Sequence, residues 1–501
     1  MTVDRRVDQL VHTVLQPGFA GLQEPPRWLA DAVGRGLGGV VYFSHNIGDV
    51  ETTAALSRQL HDLGDVLIAT DEEGGIVSRL GARSGSPHVG AAMLGRVDDV
   101  DATRAVGTAI GADLRASGID IDLAPVVDVN SNPSNPVIGV RSFGATPQLV
   151  ARHAIAYAEG LQSTGVAATA KHFPGHGDTA VDSHVGLPRV DAPIELLRER
   201  ELAPFAAAVR AGVRAVMTAH VILPALDPSR PATISAPVLS MLRDELGFDG
   251  VIMTDALDMG AIRDTIGLGE GCVQALLAGA DLLGLGNPVL GATSPDKDLQ
   301  VFTEARTALV RAIDEGRLPV ERLEEAADRI DALRRWRQSR SADLPMIDRS
   351  ADLSVARRSL ATRGSIQIAP KPLQILDIRR QRNVAAGALP ALTVQAVLDT
   401  APGSSVTSAF VLPDAVEGHA DDSEFALRAG LPSAGVVVTG SPGHDAAEDE
   451  QLRAALAVSP NALVLVLGYA TGTEELFGAR NVVWTFGDSV PTAAAVTHLL
   501  Q

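Results

Sequence analysis

Fourteen consecutive residues, KHFPGHGDTAVDSH at 171–184, hold three histidines, two aspartates and a lysine. Such a set suits three kinds of chemistry. His172, His176, Asp178, Asp182 and His184 are ligand types for zinc or a related ion, but their spacing follows no compact signature such as H-E-x-x-H. A polar loop near glycine and proline also uses Asp, Ser and His to bond its own backbone, and His176 with Asp178 fit that plainer role. Asp182 and His184 suit a third: in Asp-Ser-His the carboxylate can orient and charge-stabilise the imidazole, giving a proton donor poised near neutral pH. Elsewhere, VLIATDEEGG sets Asp71, Glu72 and Glu73 after an apolar run, and VIMTDALDM does the same with Asp255.

These groups need elements to hold them. GVVYF at 39–43, VLIATD at 66–71, IDLAPVVDV at 121–129, AATAKHF at 167–173, AVMTAHV at 215–221, VIMTDAL at 251–257 and DLLGLG at 281–286 are apolar runs without polar alternation. That is the pattern of strands buried on both faces. Helical stretches separate them, among them TPQLVARHAIAYAEGLQSTG, with Thr146 as cap, Pro147 in the first turn and Gly165 at the close. Seven such units predict an α/β fold, a (β/α)8 TIM-type barrel with one weak or irregular strand, against a doubly wound open sheet. In a barrel, Asp71, Lys171, His172 and Asp255 all reach the strand C-terminal ends, where barrel active sites are built.

At about 335–355 the pattern breaks into a charged, turn-prone stretch that reads as a linker. Beyond it, LQILDI, VTSAFVL, GVVVTG, ALVLVLG and VVWTFG predict a smaller α/β open-sheet domain, an αβα sandwich, so the chain divides into 1–340 and 341–501. HADDSEF at 419–425 reads as a solvated loop. The length of 501 residues agrees with two cores.

A net charge of −19 speaks against nucleic acid and anionic membranes as partners. Cys272 is the one cysteine, so no intrachain disulfide forms. With no signal-like start and no apolar run of the roughly 20 residues a bilayer needs, the expected location is cytoplasmic and the expected form a monomer or homodimer.

KHFPGHGDTAVDSH, DEEGGIVSRL, NPVIGVRSFG and GFDGVIMTDALDM together resemble family 3 glycoside hydrolases, and within them the β-N-acetylglucosaminidase (NagZ-like) branch. The resemblance runs from about Leu22 to Leu333. It implies a retaining β-N-acetylhexosaminidase that needs no cofactor or metal and takes a small carbohydrate, a terminal β-linked N-acetylglucosaminide. Asp255 matches the nucleophile, His184 the general acid/base and Asp182 its partner. Asp71, Arg79, Arg141, Lys171 and His172 match the sugar contacts. Ile76 stands where many relatives have arginine. The aglycone implied is a peptidoglycan-recycling fragment or a chitin oligosaccharide. The same residues suit a phosphorylase, since a neutral histidine does not repel phosphate. A metal-dependent hydrolase and a catalytically silent sugar-binding protein are the remaining readings.

Overall fold

The computed structural model describes residues 4–179, 187–286, 294–341, 343–366, 368, 372–379, 391–408, 433–440, 442–469 and 476–501. The seven predicted apolar runs form strands, and β1 Leu15–Pro17 is an eighth that the pattern does not predict. The seven are β2 Gly39–Tyr42, β3 Leu67–Thr70, β4 Ile121–Asp122, β5 Ala167–Phe173, β6 Ala215–Thr218, β7 Val251–Thr254 and β8 Leu283–Leu285. Strands β2 to β7 pair in parallel as one curled sheet, and β1 pairs with β8. Single parallel bridges, Gly18 to Val41 and Met253 to Leu282, join that pair to the two edges and complete a ring of eight strands. The strand that completes the seven predicted runs is β1, three residues long.

Side-chain alternation sorts the ring. Val41, Ala69, Ile121, Leu123, Ala215, Met217 and Met253 fill its interior, whereas Val40, Ile68, Ala168, Ala170, Val216 and Ile252 pack outward on the helices. The helix Val320–Gln338 sends Ile330, Leu333 and Trp336 to the interior cluster. Two fully buried aspartates at the starts of strands hold that helix. Asp281 receives Arg322 and Arg329 of the helix at 2.8 and 3.2 Å, and Arg243 besides; Asp120 receives Arg337 at 3.2 Å and His61 at 2.8 Å.

One expectation is corrected. The run IDLAPVVDV is a strand only at Ile121–Asp122, because Pro125 has no N–H to give the ladder. Only the ends of the expected linker 335–355 are helix: Val320–Gln338 runs into its first residues and Ser350–Ser359 takes up its last, while the described residues of 339–349 form neither helix nor strand. Charged side chains at its start pair on the barrel, Arg334 with Asp331 and Arg337 with Asp65 and Asp120.

In the second domain β9 Ala361–Arg363, β10 Gln374–Asp377, β11 Ser405–Ser408, β12 Val436–Thr439, β13 Leu463–Val466 and β14 Asn481–Trp484 form one sheet, in the order β9-β14-β13-β12-β10-β11. Only β9 is antiparallel to its neighbour. The helix Ala446–Val458 covers one face, and Leu392–Thr400 with Val490–Leu500 covers the other. The sequence 409–432, which contains HADDSEF, lies outside the described residues. Among the described residues, no helix is long and apolar enough to cross a membrane.

Candidate active site

The C-terminal ends of the ring strands surround a pocket. Asp255 follows β7, Asp71 follows β3, Lys171 and His172 belong to β5, and Arg79 and Arg141 arrive on loops; all six line it. Phe43, Leu123, Val137, Met217 and Met259 supply apolar wall between them. The strand end fixes Asp255: its N–H donates to Thr218 O at 3.3 Å, and its Oδ1 accepts from the Ala256 N–H at 2.8 Å.

The opposite wall is a web of buried charge. Lys171 Nζ lies 2.7 Å from Asp71 Oδ1 and 2.7 Å from Glu73 Oε1. Arg141 grips Glu73 with two parallel bonds, Nε to Oε2 at 2.9 Å and Nη2 to Oε1 at 2.8 Å, the planar fork a carboxylate matches. Arg79 Nη2 reaches Asp71 Oδ2 at 3.2 Å. Burial alone would raise the two carboxyls. For Asp71, Lys171 and Arg79 outweigh it and hold the group well below the usual range; for Glu73, Arg141 and Lys171 bring it to about 2. Burial likewise disfavours the Lys171 ammonium, and Asp71 and Glu73 reverse that, so its pKa rises. The wall therefore carries fixed charges at neutral pH.

A short hairpin presents Asp71 and Glu73. Glu72–Gly74 pairs antiparallel with Val77–Ser78 around Gly74 and Gly75, whose φ of +75° and +58° suit glycine. Tyr157 donates its hydroxyl to Glu72 O at 2.9 Å. Glu72 itself does not line the pocket: its Oε2 accepts from the Leu80 N–H at 2.9 Å. His172 is oriented by Asp128, Nδ1 to Oδ2 at 2.7 Å, and Asp128 Oδ1 also accepts from the His176 N–H at 2.7 Å. Of the opening stretch, His176 meets Thr179 Oγ1 at 2.7 Å and lines the pocket, while Asp178 pairs with Arg200 at 2.6 Å. Asp258 makes a polar contact, accepting from the Gly286 N–H at 2.9 Å. Asp182 and His184 lie outside the described residues. Among the described residues, no three His, Cys, Asp or Glu side chains group to hold a metal ion.

Sequence reasoning missed Glu73 and Asp128 as members of the site. Glu73 had a signal, since period-two alternation from Asp71 puts it on the same side as Asp71 and turns Glu72 away. Asp128 had none, because it sits in an irregular stretch after β4 and acts through His172.

The chemistry available is clear from this arrangement. A carboxylate on a rigid strand end shares its pocket with buried charged groups that offer hydrogen-bond donors and acceptors to a polyhydroxylated ring. Comparison with known proteins agrees in kind. The Glycosyl hydrolase family 3 N terminal domain matches residues 2–333. A beta-hexosaminidase A of Pseudoalteromonas piscicida is 35% identical over 350 residues, 65% of this chain and 58% of that protein, so the chain spans less than two thirds of that relative's length. A beta-hexosaminidase of Nitrosomonas eutropha is 35% identical over 56% of this chain and 81% of its own. A solved family 3 beta-N-acetylglucosaminidase from Paenibacillus sp. FPU-7 superposes with a TM-score of 0.84 at 31% identity, covering 98% of this chain and 96% of that one.

Proposed function

The chain belongs to glycosyl hydrolase family 3, and from that premise we propose that it is a retaining β-N-acetylglucosaminidase. The observation that carries the reading is the position of Asp255, fixed at the end of β7 in the pocket that Asp71, Lys171 and Arg141 also line, with Glu73 pairing both Lys171 and Arg141. In this reading a terminal N-acetylglucosamine lies between them. Asp71 accepts from sugar hydroxyls, and Arg79, Lys171, Arg141 and His172 donate to hydroxyl or acetamido oxygens. The Asp255 carboxylate attacks the anomeric carbon as the glycosidic oxygen leaves, giving a glycosyl-enzyme that water then opens with net retention.

The leaving oxygen needs a proton, and we assign that to His184 with Asp182 as its orienting partner. The support is the Asp-Ser-His motif and its resemblance to the family. An imidazole near neutral pH gives that proton and later takes one from water without the large pKa elevation a carboxylic acid requires. The single cysteine and the relatives' hexosaminidase names support a cytoplasmic enzyme that trims small N-acetylglucosaminides, such as fragments of peptidoglycan turnover.

The test is product analysis with an aryl β-N-acetylglucosaminide, with and without inorganic phosphate. Free N-acetylglucosamine in both buffers supports hydrolysis. N-acetylglucosamine 1-phosphate, formed only with phosphate present, would make the enzyme a phosphorylase. Absence of turnover would remove the glycosidic reading.

A further inference from the structure

The sugar-binding hairpin is not held by the barrel alone. The segment 85–90 runs behind the Gly74–Gly75 turn and touches the second domain on its far side. There Ser86 O accepts from the Val490 N–H at 2.9 Å, and the Val89 N–H donates to Asp352 Oδ1 at 2.8 Å. A Cβ on Gly85 would fall 2.1 Å from Leu392 Cδ1. On its near side, His88 O accepts from the Gly75 N–H at 2.9 Å, and a Cβ on Gly74 would stand 2.4 Å from Val89 O. The segment is a tight strap between the two.

His88 sits at its centre, 1% exposed. Its Nδ1 is 3.0 Å from Asp352 Oδ2 and its Nε2 is 3.1 Å from Asp113 Oδ2. Two carboxylates on opposite ring nitrogens require that both nitrogens carry protons, so the ring is an imidazolium. Asp352 belongs to the helix Ser350–Ser359, beyond residues 2–333 that the family's N terminal domain matches, and Asp113 to the barrel helix Val100–Ala116. Arg349 backs Asp113, with Nη1 to Oδ2 at 3.0 Å, and Glu72 of the hairpin adds a third negative charge near the ring.

We propose that His88 is a positioning residue through which the second domain fixes the hairpin bearing Asp71, Glu73 and Arg79. The assignment rests on the reading of that hairpin as sugar-binding. It gives the second domain a role in the reaction without lending it a catalytic group. Burial alone would favour the neutral ring; the bonds to Asp113 and Asp352 outweigh it and raise the pKa to about 9. Hairpin placement is then intact at neutral pH and loosens as pH rises through that value.

The test uses the full chain and the variants His88→Gln and Asp352→Asn. Kinetics on an aryl β-N-acetylglucosaminide from about pH 5 to pH 10 are read beside hydrogen–deuterium exchange of hairpin peptides. KM is expected to rise about tenfold in both variants, with kcat changing less. Above the alkaline break set by the proton donor, a second break in kcat/KM near pH 9 should move down by about one unit or more in Asp352→Asn and vanish in His88→Gln. Hairpin amides should exchange faster in both. Variants that melt earlier yet keep wild-type KM, alkaline limb and hairpin exchange would overturn the proposal, leaving His88 a plain stability residue. An inactive wild type would instead count against the glycosidase reading, and the exchange data would still decide the role of His88. Should His88→Gln not fold, Asp352→Asn carries the same measurements.

Discussion

Arg141 holds both carboxylate oxygens of Glu73 with one edge of its guanidinium, and Glu73 in turn shares Lys171 with Asp71. This pairing makes one rigid surface out of residues from β3, β5 and a loop some seventy positions away in sequence. Glu73→Gln keeps the shape and one acceptor but leaves Lys171 and Arg141 facing Asp71 with surplus positive charge. Turnover of an aryl β-N-acetylglucosaminide should lose about tenfold or more in kcat/KM, on the order of 1.4 kcal/mol of transition-state stabilisation. Wild-type kcat/KM in this variant would show that the pairing does not support catalysis.

Asp281 carries a different load. Fully buried, it takes Arg243, Arg322 and Arg329 together and so fastens the last barrel helix below the strand ring. Asp281→Asn strands three cations around a neutral amide and should destabilise the protein by roughly 3–5 kcal/mol, the cost of breaking a buried pair from one side. Denaturant unfolding measures it; a change under about 1 kcal/mol would mean that the arginines find other partners.

Glu201 predicts a pH-dependent gain. Burial raises its carboxyl to about 7, with Arg200 only partly offsetting this, and Gly175 of the loop leading to 182–184 packs against its Oε2. The unfolded chain ionises this group at its ordinary value of about 4.3, so folding stability falls as pH rises from there through 7. Glu201→Gln, a mimic of the protonated form, should raise Tm at pH 8 and leave it nearly unchanged near pH 4. An equal shift at both values would contradict the assignment.

His88 works in the opposite direction. Its folded pKa stands above the ordinary histidine value, so the stability it supplies is complete below about 6.5. That stability disappears as pH climbs through about 9. The Tm gap between wild type and His88→Gln should therefore be widest at pH 6 and close toward pH 10, as differential scanning calorimetry can follow.

Much of this was legible in the sequence, for reasons the structure makes concrete. The runs GVVYF, AATAKHF and VIMTDAL became strands because parallel strands buried on both faces need unbroken apolar side chains. Asp71, Lys171 and Asp255 were findable as pocket residues because the C-terminal ends of barrel strands open on one face. β1 escaped because Leu15–Pro17 is too short to make a pattern, and its pairing comes from ring closure with β8. At the start of the segment 335–355, charge does not mean solvent exposure, since Arg337 spends its charge on buried Asp120. Asp128 and His88 act through contacts distant in sequence, with nothing local to announce them.

The central claim is that Asp255 forms a covalent bond to the sugar. A 5-fluoro aryl β-N-acetylglucosaminide slows the second step and should accumulate the glycosyl-enzyme, which peptide mass spectrometry can locate. One added 5-fluoro-N-acetylglucosaminyl group is expected on the peptide containing Asp255, absent in Asp255→Ala. Turnover with the adduct on another residue, or with no adduct and an inverted first product, would contradict it.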